Sequence, residues 1–207
     1  MRGRFITIEG IEGAGKSTMV DRIEAWLKND GQKVVRTREP GGTVLAEDLR
    51  EILLDKNNSE LASLTELLLM FAARAQHLAE KIRPALALGH TVLCDRFTDA
   101  TWAYQGGGRQ LPRQEIAALE KLVHHDLQPD LTMLLDLPVE LGLKRASRRS
   151  ESDRFERESL EFFSRVRQAY LDRAAASEGR FAVIDAAQEV EEVWSQIEAV
   201  LQERVVS

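Results

Sequence analysis

The stretch Gly10-Ile11-Glu12-Gly13-Ala14-Gly15-Lys16-Ser17-Thr18 decides the fold. It satisfies the pattern G-x-x-x-x-G-K-[ST] in full, after the short apolar run Phe5-Ile6-Thr7-Ile8 and before a helical pattern. Its glycines let the backbone curl so that N–H groups converge on phosphate oxygens. The helix that follows adds the positive end of its dipole. Lys16 is placed to reach β- and γ-phosphates, and the Ser17 hydroxyl to ligate Mg²⁺. The plain alternative is a Gly-rich turn capping a helix; the strand-loop-helix setting argues against it.

Outward from the loop, short apolar runs alternate with amphipathic helices. Strands are expected at 5–9, 33–37, 91–94, 131–137 and 181–185. Met19, Val20, Ile23, Trp26 and Leu27 recur at helical spacing up to Gly31. Leu61, Leu64, Leu67, Leu68, Phe71, Ala75, Leu78 and Ile82 mark one long helix that ends near Pro84 to Gly89. Val190, Val193, Ile197, Val200 and Leu201 form the last helix face. Apolar strands separated by helices imply an α/β fold, a five-stranded parallel sheet with helices on both faces. No linker or repeat divides residues 1–207, so a single domain is expected.

The composition sets bounds. With 207 residues the chain suffices for one good core. A net charge of -6 argues against polymeric nucleic acid as a ligand. The lone Cys94 follows Thr91-Val92-Leu93 and reads as a core thiol. No apolar run is long enough to span a membrane. Glu9 and Glu12 interrupt the apolar stretch behind Arg2 and Arg4, unlike a secretory signal, so a cytoplasmic chain is expected.

Ligands of such sheets bind beyond the carboxyl ends of the strands. Asp95-Arg96 follows the third strand. Asp95 is a candidate to hold Mg²⁺ through water, and Arg96 to clamp a second phosphate; a surface ion pair is the plainer alternative. Lys144, Arg145, Arg148, Arg149, Arg154 and Arg157 crowd the region 144–157 among Glu151, Asp153 and Glu156. Two readings stand side by side: a solvated helix laced with ion pairs, or a flap over about 145–157 that brings arginines onto a transferring phosphoryl group. Tyr104-Gln105-Gly106-Gly107-Gly108-Arg109 reads as a flexible turn beside an aromatic and an amide able to read a base edge, with a simple helix terminus as the plainer alternative. Arg74 lies one turn from Phe71 on the same helix; Phe71 reads most plainly as a core residue, while an arginine beside an aromatic suits a flat, polar-edged ligand. The four histidines show no metal-ligand spacing and read as structural or surface groups.

Together, Glu12 within the phosphate loop, Thr37-Arg38-Glu39-Pro40-Gly41-Gly42-Thr43, Asp95-Arg96-Phe97 and Ala103-Tyr104-Gln105-Gly106-Gly107-Gly108-Arg109 resemble the bacterial thymidylate kinases. The resemblance runs in order from about Arg4 to Ala187. It implies a P-loop protein of nucleoside monophosphate kinase type, usually a homodimer, that transfers the γ-phosphoryl of ATP to dTMP with Mg²⁺. On that resemblance Gly10, Ile11, Glu12, Gly13, Ala14, Gly15, Lys16, Ser17 and Thr18, with Arg145, bind ATP. Glu12, Arg50, Phe71, Arg74, Arg96, Thr101, Tyr104 and Gln105 bind dTMP. Lys16, Arg96, Glu12 and the flap residue Arg149 carry the transfer, and Ser17 and Asp95 hold the metal. Arg74 and Gln105 correspond to readers of the thymine edge, and Tyr104 to the aromatic beside the deoxyribose. The family's stacking aromatic lies four residues before the base-reading arginine; that place here is Met70, and Phe71 lies three before. Arg149's partner stays open between Arg145, Arg148 and Arg154. The rivals are a kinase for another nucleotide, a GTP-dependent switch (for which a guanine-reading N-K-x-D is absent), and a nucleotide-binding protein without catalysis.

Overall fold

The computed structural model describes residues 2–58, 60–147, 154–155 and 158–205. The order of elements is β1 (Phe5–Glu9), α1 (Lys16–Asn29), β2 (Val34–Arg38), α2 (Val44–Leu54), α3 (Ser63–His77), α4 (Arg83–Ala87), β3 (Thr91–Asp95), α5 (Thr98–Thr101), α6 (Arg113–His124), β4 (Leu131–Asp136), α7 (Val139–Ala146), α8 (Leu160–Ala175), β5 (Phe181–Asp185) and α9 (Val190–Arg204). π-helical turns occupy Leu78–Ile82 and Trp102–Gly108.

The five strands form one parallel sheet in the order β2-β3-β1-β4-β5. The five expected strands are therefore present, with ends shifted by a residue. Every residue of the central strand β1 is buried, whereas the edge strands β2 and β5 are only partly so. Alternation splits β1 and β3 between two cores. Leu93 joins Ile6, Ile8 and the α1 residues Met19, Val20, Ile23 and Leu27 on one face. Val92 and Cys94 join Phe5, Leu78, Ile82 and Leu86 on the other. Cys94 is a buried thiol, as its neighbours implied, and burial pushes its pKa up.

Two local features refine the reading of the sequence. The long helix is continuous but not uniform, since a widened turn at Leu78–Ile82 separates α3 from α4. Pro84 lies in the first turn of α4; it has no N–H to give, and its ring crowds the carbonyl one turn back, so the ladder widens just ahead of it. The second feature is a correction. Gly106 to Gly108 do not form a flexible turn; they lie within the π-helical turn. Gly107 and Gly108 are small because α8 packs against them: a Cβ on Gly107 would meet Ala169 Cβ at 2.7 Å, and one on Gly108 the Phe162 ring at 2.5 Å.

Topology places the site. β1 pairs with β3 on one side and β4 on the other, so the chain leaves β1 at the point where strand order reverses. In the β1–β3 register Ile8 lies opposite Asp95, which brings Asp95-Arg96 beside the start of the phosphate loop.

Candidate active site at the strand ends

The loop's geometry follows from its glycines. Gly13 holds φ at 74° and lies so close to Gly142 that a Cβ would stand 1.9 Å from that residue's carbonyl oxygen. Gly15, at φ 87°, is the N-cap of α1 and provides no side-chain cap, so the first amides of the helix stay available to an anion. Lys16 Nζ donates to the carbonyls of Gly10 and Ile11 at 3.0 and 2.9 Å. Burial, and then the nearby Arg96 guanidinium, hold its pKa down at about 8 rather than 10.5. An ammonium placed this way gains most from a phosphate arriving beside it.

Glu12, Gly13, Lys16 and Ser17 form one wall of a cavity, with Asp95 and Arg96 at the end of β3. Arg50, Met70, Arg74, Thr101, Tyr104 and Gln105 line its far side, together with Phe97 and Phe155. Most of the expected acceptor residues thus meet in one space, although they come from five separate parts of the chain. Gly10, Ile11 and Ala14 underlie the loop and do not line the cavity; Thr18 is exposed on the first turn of α1.

Arg96 sits at φ 66°, an unusual backbone conformation for a residue with a Cβ. Its N–H donates to Ile8 O at 2.9 Å, and its guanidinium donates to Glu12 Oε1 at 2.7 Å and lies 4.9 Å from the Tyr104 ring centre. The other Glu12 oxygen accepts the Tyr104 hydroxyl at 2.5 Å. Glu12 therefore holds both the Arg96 guanidinium and the aromatic beside it. Asp95 Oδ1 is buried and without a hydrogen-bond partner. A buried carboxylate oxygen left open beside Ser17 is the donor type a hydrated Mg²⁺ takes, so these residues fit the metal the resemblance implies.

At the opposite end, Arg74 Nε donates to Glu39 Oε2 at 2.6 Å and one Nη to Phe97 O at 3.1 Å. Its other terminal nitrogen, Nη1, is buried and has no partner. Glu39 also pairs with His77 Nδ1 at 2.9 Å, whose Nε2 meets Thr37 Oγ1 at 2.7 Å. The amide nitrogen of Gln105 donates to Glu66 Oε1 at 2.8 Å.

Three expectations on site residues change. Phe71 does not line the cavity; it packs with Leu67 and Ile116, its ring 4.9 Å from the Arg74 guanidinium. The reason is rotation: Glu66, Met70 and Arg74 repeat every four residues along one face of α3, and Phe71 lies about 100° off that line. Met70 reaches the cavity instead. Arg145 also lies outside the lining, and its guanidinium donates to the carbonyls of Ala186 and Ala187 at 2.7 and 3.2 Å. Arg154 does not line the cavity and is held between α2 and α3. It donates to Leu53 O at 2.9 Å and Glu66 Oε2 at 2.6 Å. Arg148, Arg149 and Arg157 lie outside the described residues, as does most of the expected flap.

Sequence reasoning missed Glu39, Glu66, Phe97 and Phe155. The spacing Glu66, Arg74, His77 on an otherwise apolar helix was a usable signal, because charged residues at helical spacing among core positions need partners.

A parallel sheet in this order, with a phosphate loop at the switch point opening into a cavity that residues of α2, α3 and the segment after β3 also line, defines a P-loop kinase of the nucleoside monophosphate type. The Thymidylate kinase family model matches residues 8–197. Proteins named thymidylate kinase from Pseudomonas putida and Alcanivorax borkumensis are 60% and 56% identical over 201 and 203 residues. Those matches cover 97% and 98% of this chain and 96% and 98% of the relatives. A crystal structure of thymidylate kinase from Ehrlichia chaffeensis superposes with a TM-score of 0.80 at 35% identity, covering 98% of this chain and 99% of that one. The chain belongs to the thymidylate kinase family.

Proposed function

We propose that this protein transfers the γ-phosphoryl group of ATP to dTMP, giving dTDP and ADP on the route to dTTP. An oxygen of the dTMP phosphate bonds to the γ-phosphorus as the bond to the β,γ-bridging oxygen breaks, and ADP leaves with that oxygen. The observation that carries the reading is a cavity with phosphate groups at one end, Lys16 and Arg96, and a buried unpaired donor, Arg74 Nη1, at the other.

Arg74 offers that donor to a base carbonyl. Gln105 gives its amide nitrogen to Glu66, so its carbonyl oxygen is left to accept a base N–H. A donor beside an acceptor matches the O4/N3–H edge of thymine and opposes that of cytosine. Tyr104, held by Glu12, stands beside the sugar and disfavours a 2′-hydroxyl. Thr101 and Met70 shape the base recess, and Arg50 and Arg96 hold the acceptor phosphate. The phosphate loop from Gly10 to Thr18 holds ATP, with Arg145 fixing the carbonyls after β5 on the donor side. Catalysis of this transfer is mainly positioning and charge stabilisation. Lys16 follows the γ-phosphoryl, and Arg149 adds positive charge that counts most in the transition state. Ser17, and Asp95 through water, would hold Mg²⁺, which would supply positive charge to the phosphates.

The protein acts as a homodimer. α2 and α3 expose Val44, Leu45, Ile52, Leu64 and Leu68, each more than 40% accessible, on adjoining helices. The buried Cys94 thiol, free of any disulfide, accords with a cytoplasmic setting. The plain test is ADP release with ATP and dTMP. Wild-type protein should release ADP only when dTMP is present, and Lys16→Ala should lose several orders of magnitude in kcat while staying folded. A folded Lys16→Ala protein at normal kcat would refute the assignment of the phosphate loop.

A further inference from the structure

Glu66 belongs to neither substrate's proposed contact set, yet three side chains bond to its carboxylate beside the base recess. It is fully buried on α3. Its Oε1 accepts the Gln105 amide nitrogen at 2.8 Å and Arg109 Nε at 3.3 Å, and its Oε2 accepts Arg154 Nη2 at 2.6 Å. A carboxylate offers acceptors alone. The side of the Gln105 amide that faces Glu66 must therefore be the nitrogen, and the carbonyl oxygen must face the other way. That oxygen makes no hydrogen bond among the described residues, and Gln105 lines the cavity. An amide is nearly symmetric in shape, so packing alone does not choose between its two orientations. The charge of Glu66 does.

We infer that Glu66 is a specificity-determining positioning residue: by fixing the orientation of the Gln105 amide it makes the base recess accept an imide N–H and reject a ring nitrogen with a lone pair. The inference rests on the thymine-reading role proposed above for Gln105 and deepens it. With thymine, N3–H donates to Gln105 and O4 accepts from Arg74. With cytosine, N3 presents a lone pair to the Gln105 oxygen and the 4-amino group faces the Arg74 donor. Both contacts fail, and buried polar groups left unpaired discriminate strongly.

The isosteric change Glu66→Gln isolates this role, because it alters which atoms accept without altering shape. The new side chain has one oxygen to share between two sides. Arg154 is a buried guanidinium whose other acceptor among the described residues is the Leu53 carbonyl, while Arg109 keeps Glu158 as a second carboxylate. The oxygen therefore turns to Arg154 and the amide nitrogen to Gln105. Gln105 must then rotate to offer its own oxygen, which aims its NH₂ into the recess. One of cytosine's two mismatches is relieved, and a match to thymine is lost.

The experiment is steady-state kinetics with ATP and either dTMP or dCMP for wild type, Glu66→Gln, and Glu66→Gln combined with Arg154→Met. Wild type should prefer dTMP strongly. In Glu66→Gln the ratio of kcat/KM for dTMP over dCMP should fall at least tenfold, through KM for dTMP and kcat/KM for dCMP, with kcat at saturating dTMP changing much less. In the double variant the competing guanidinium is gone, the oxygen of the substituted side chain can return to Gln105, and the ratio should recover toward wild type. A merely structural role lowers activity on both acceptors alike and is not rescued by a second core change. An unmoved ratio in Glu66→Gln, or an equally low ratio in the double variant, overturns the inference while leaving the kinase reading intact. If Glu66→Gln alone does not fold, the double variant decides: a near wild-type ratio supports the inference, and a ratio more than tenfold lower overturns it. A wild-type protein indifferent to the base would remove the thymine reading itself, and the inference with it.

Discussion

Glu39 Oε2 accepts Arg74 Nε at 2.6 Å, with both side chains only 3% exposed, while Arg74 Nη1 is buried and unpaired. One edge of the guanidinium is anchored, and one nitrogen is left for a ligand. Arginine alone fits this arrangement, since its planar fork spans the anchor and the recess together. Arg74→Lys should keep the fold, as judged by circular dichroism. It should lower kcat/KM for dTMP by roughly ten- to a hundred-fold, or about 1–3 kcal/mol. An unchanged kcat/KM would show that Nη1 meets no substrate atom.

Glu9, at the end of β1, predicts a pH dependence of stability. Burial, reinforced by the charge of Asp99, raises its pKa from 4.5 to about 8, and it accepts from Phe97 N and is bonded to the Tyr170 hydroxyl, each at 2.7 Å. Between about pH 4.5 and 8 the folded protein holds a proton that the unfolded chain releases. The contribution is complete below pH 4.5 and is lost as pH rises through 8. Glu9→Gln mimics the protonated form, so its melting temperature relative to wild type should climb from about pH 5 to about pH 8.5. A difference independent of pH would contradict the raised pKa.

Asp95 Oδ1 is an open acceptor beside Ser17. Asp95→Asn should raise the Mg²⁺ concentration for half-maximal activity at fixed ATP by at least tenfold, with smaller losses at saturating Mg²⁺. A Mg²⁺ titration identical to wild type would remove Asp95 from the metal's surroundings.

The exposed apolar row on α2 and α3 includes Leu68 at 49% and Val44 at 81% accessibility. Leu68→Glu places charge in that row. Light scattering on a sizing column should show a dimer for wild type and a shift toward monomer for the variant. A monomeric wild type at micromolar concentration would contradict the dimer.

Much of this was legible beforehand, for identifiable reasons. The strands were readable as short runs rich in apolar and β-branched residues between helical patterns, and the phosphate loop because its backbone geometry demands glycine and its chemistry demands Lys16 and Ser17. The π-helical turns were not, since hydrophobic periodicity scarcely registers one extra residue per turn. Phe71 shows the limit in the site. An aromatic beside an arginine looks like a stacking partner, but on a helix one residue is a rotation of about 100°, and that rotation turned Phe71 into the core and Met70 to the cavity. Glu39 and Glu66 were hard to foresee because their partners lie 35 and 39 or more positions away, so only the folded chain brings them together. Arg154 read as a candidate for phosphate because charge runs carry no direction; burial against Glu66 gave it another role.

The central claim is that the cavity joins a phosphate-transfer centre to a recess that reads thymine. The most direct measurement is kcat/KM with ATP for dTMP, dUMP and dCMP in a coupled ADP-release assay. Uracil keeps the O4/N3–H edge and lacks only a methyl group, so dUMP should be impaired by roughly 1–3 kcal/mol. dCMP opposes both Arg74 and Gln105 and should be far poorer than dUMP. The order dTMP, then dUMP, then dCMP at a distance is the predicted result; dCMP turned over as well as dTMP would contradict the account.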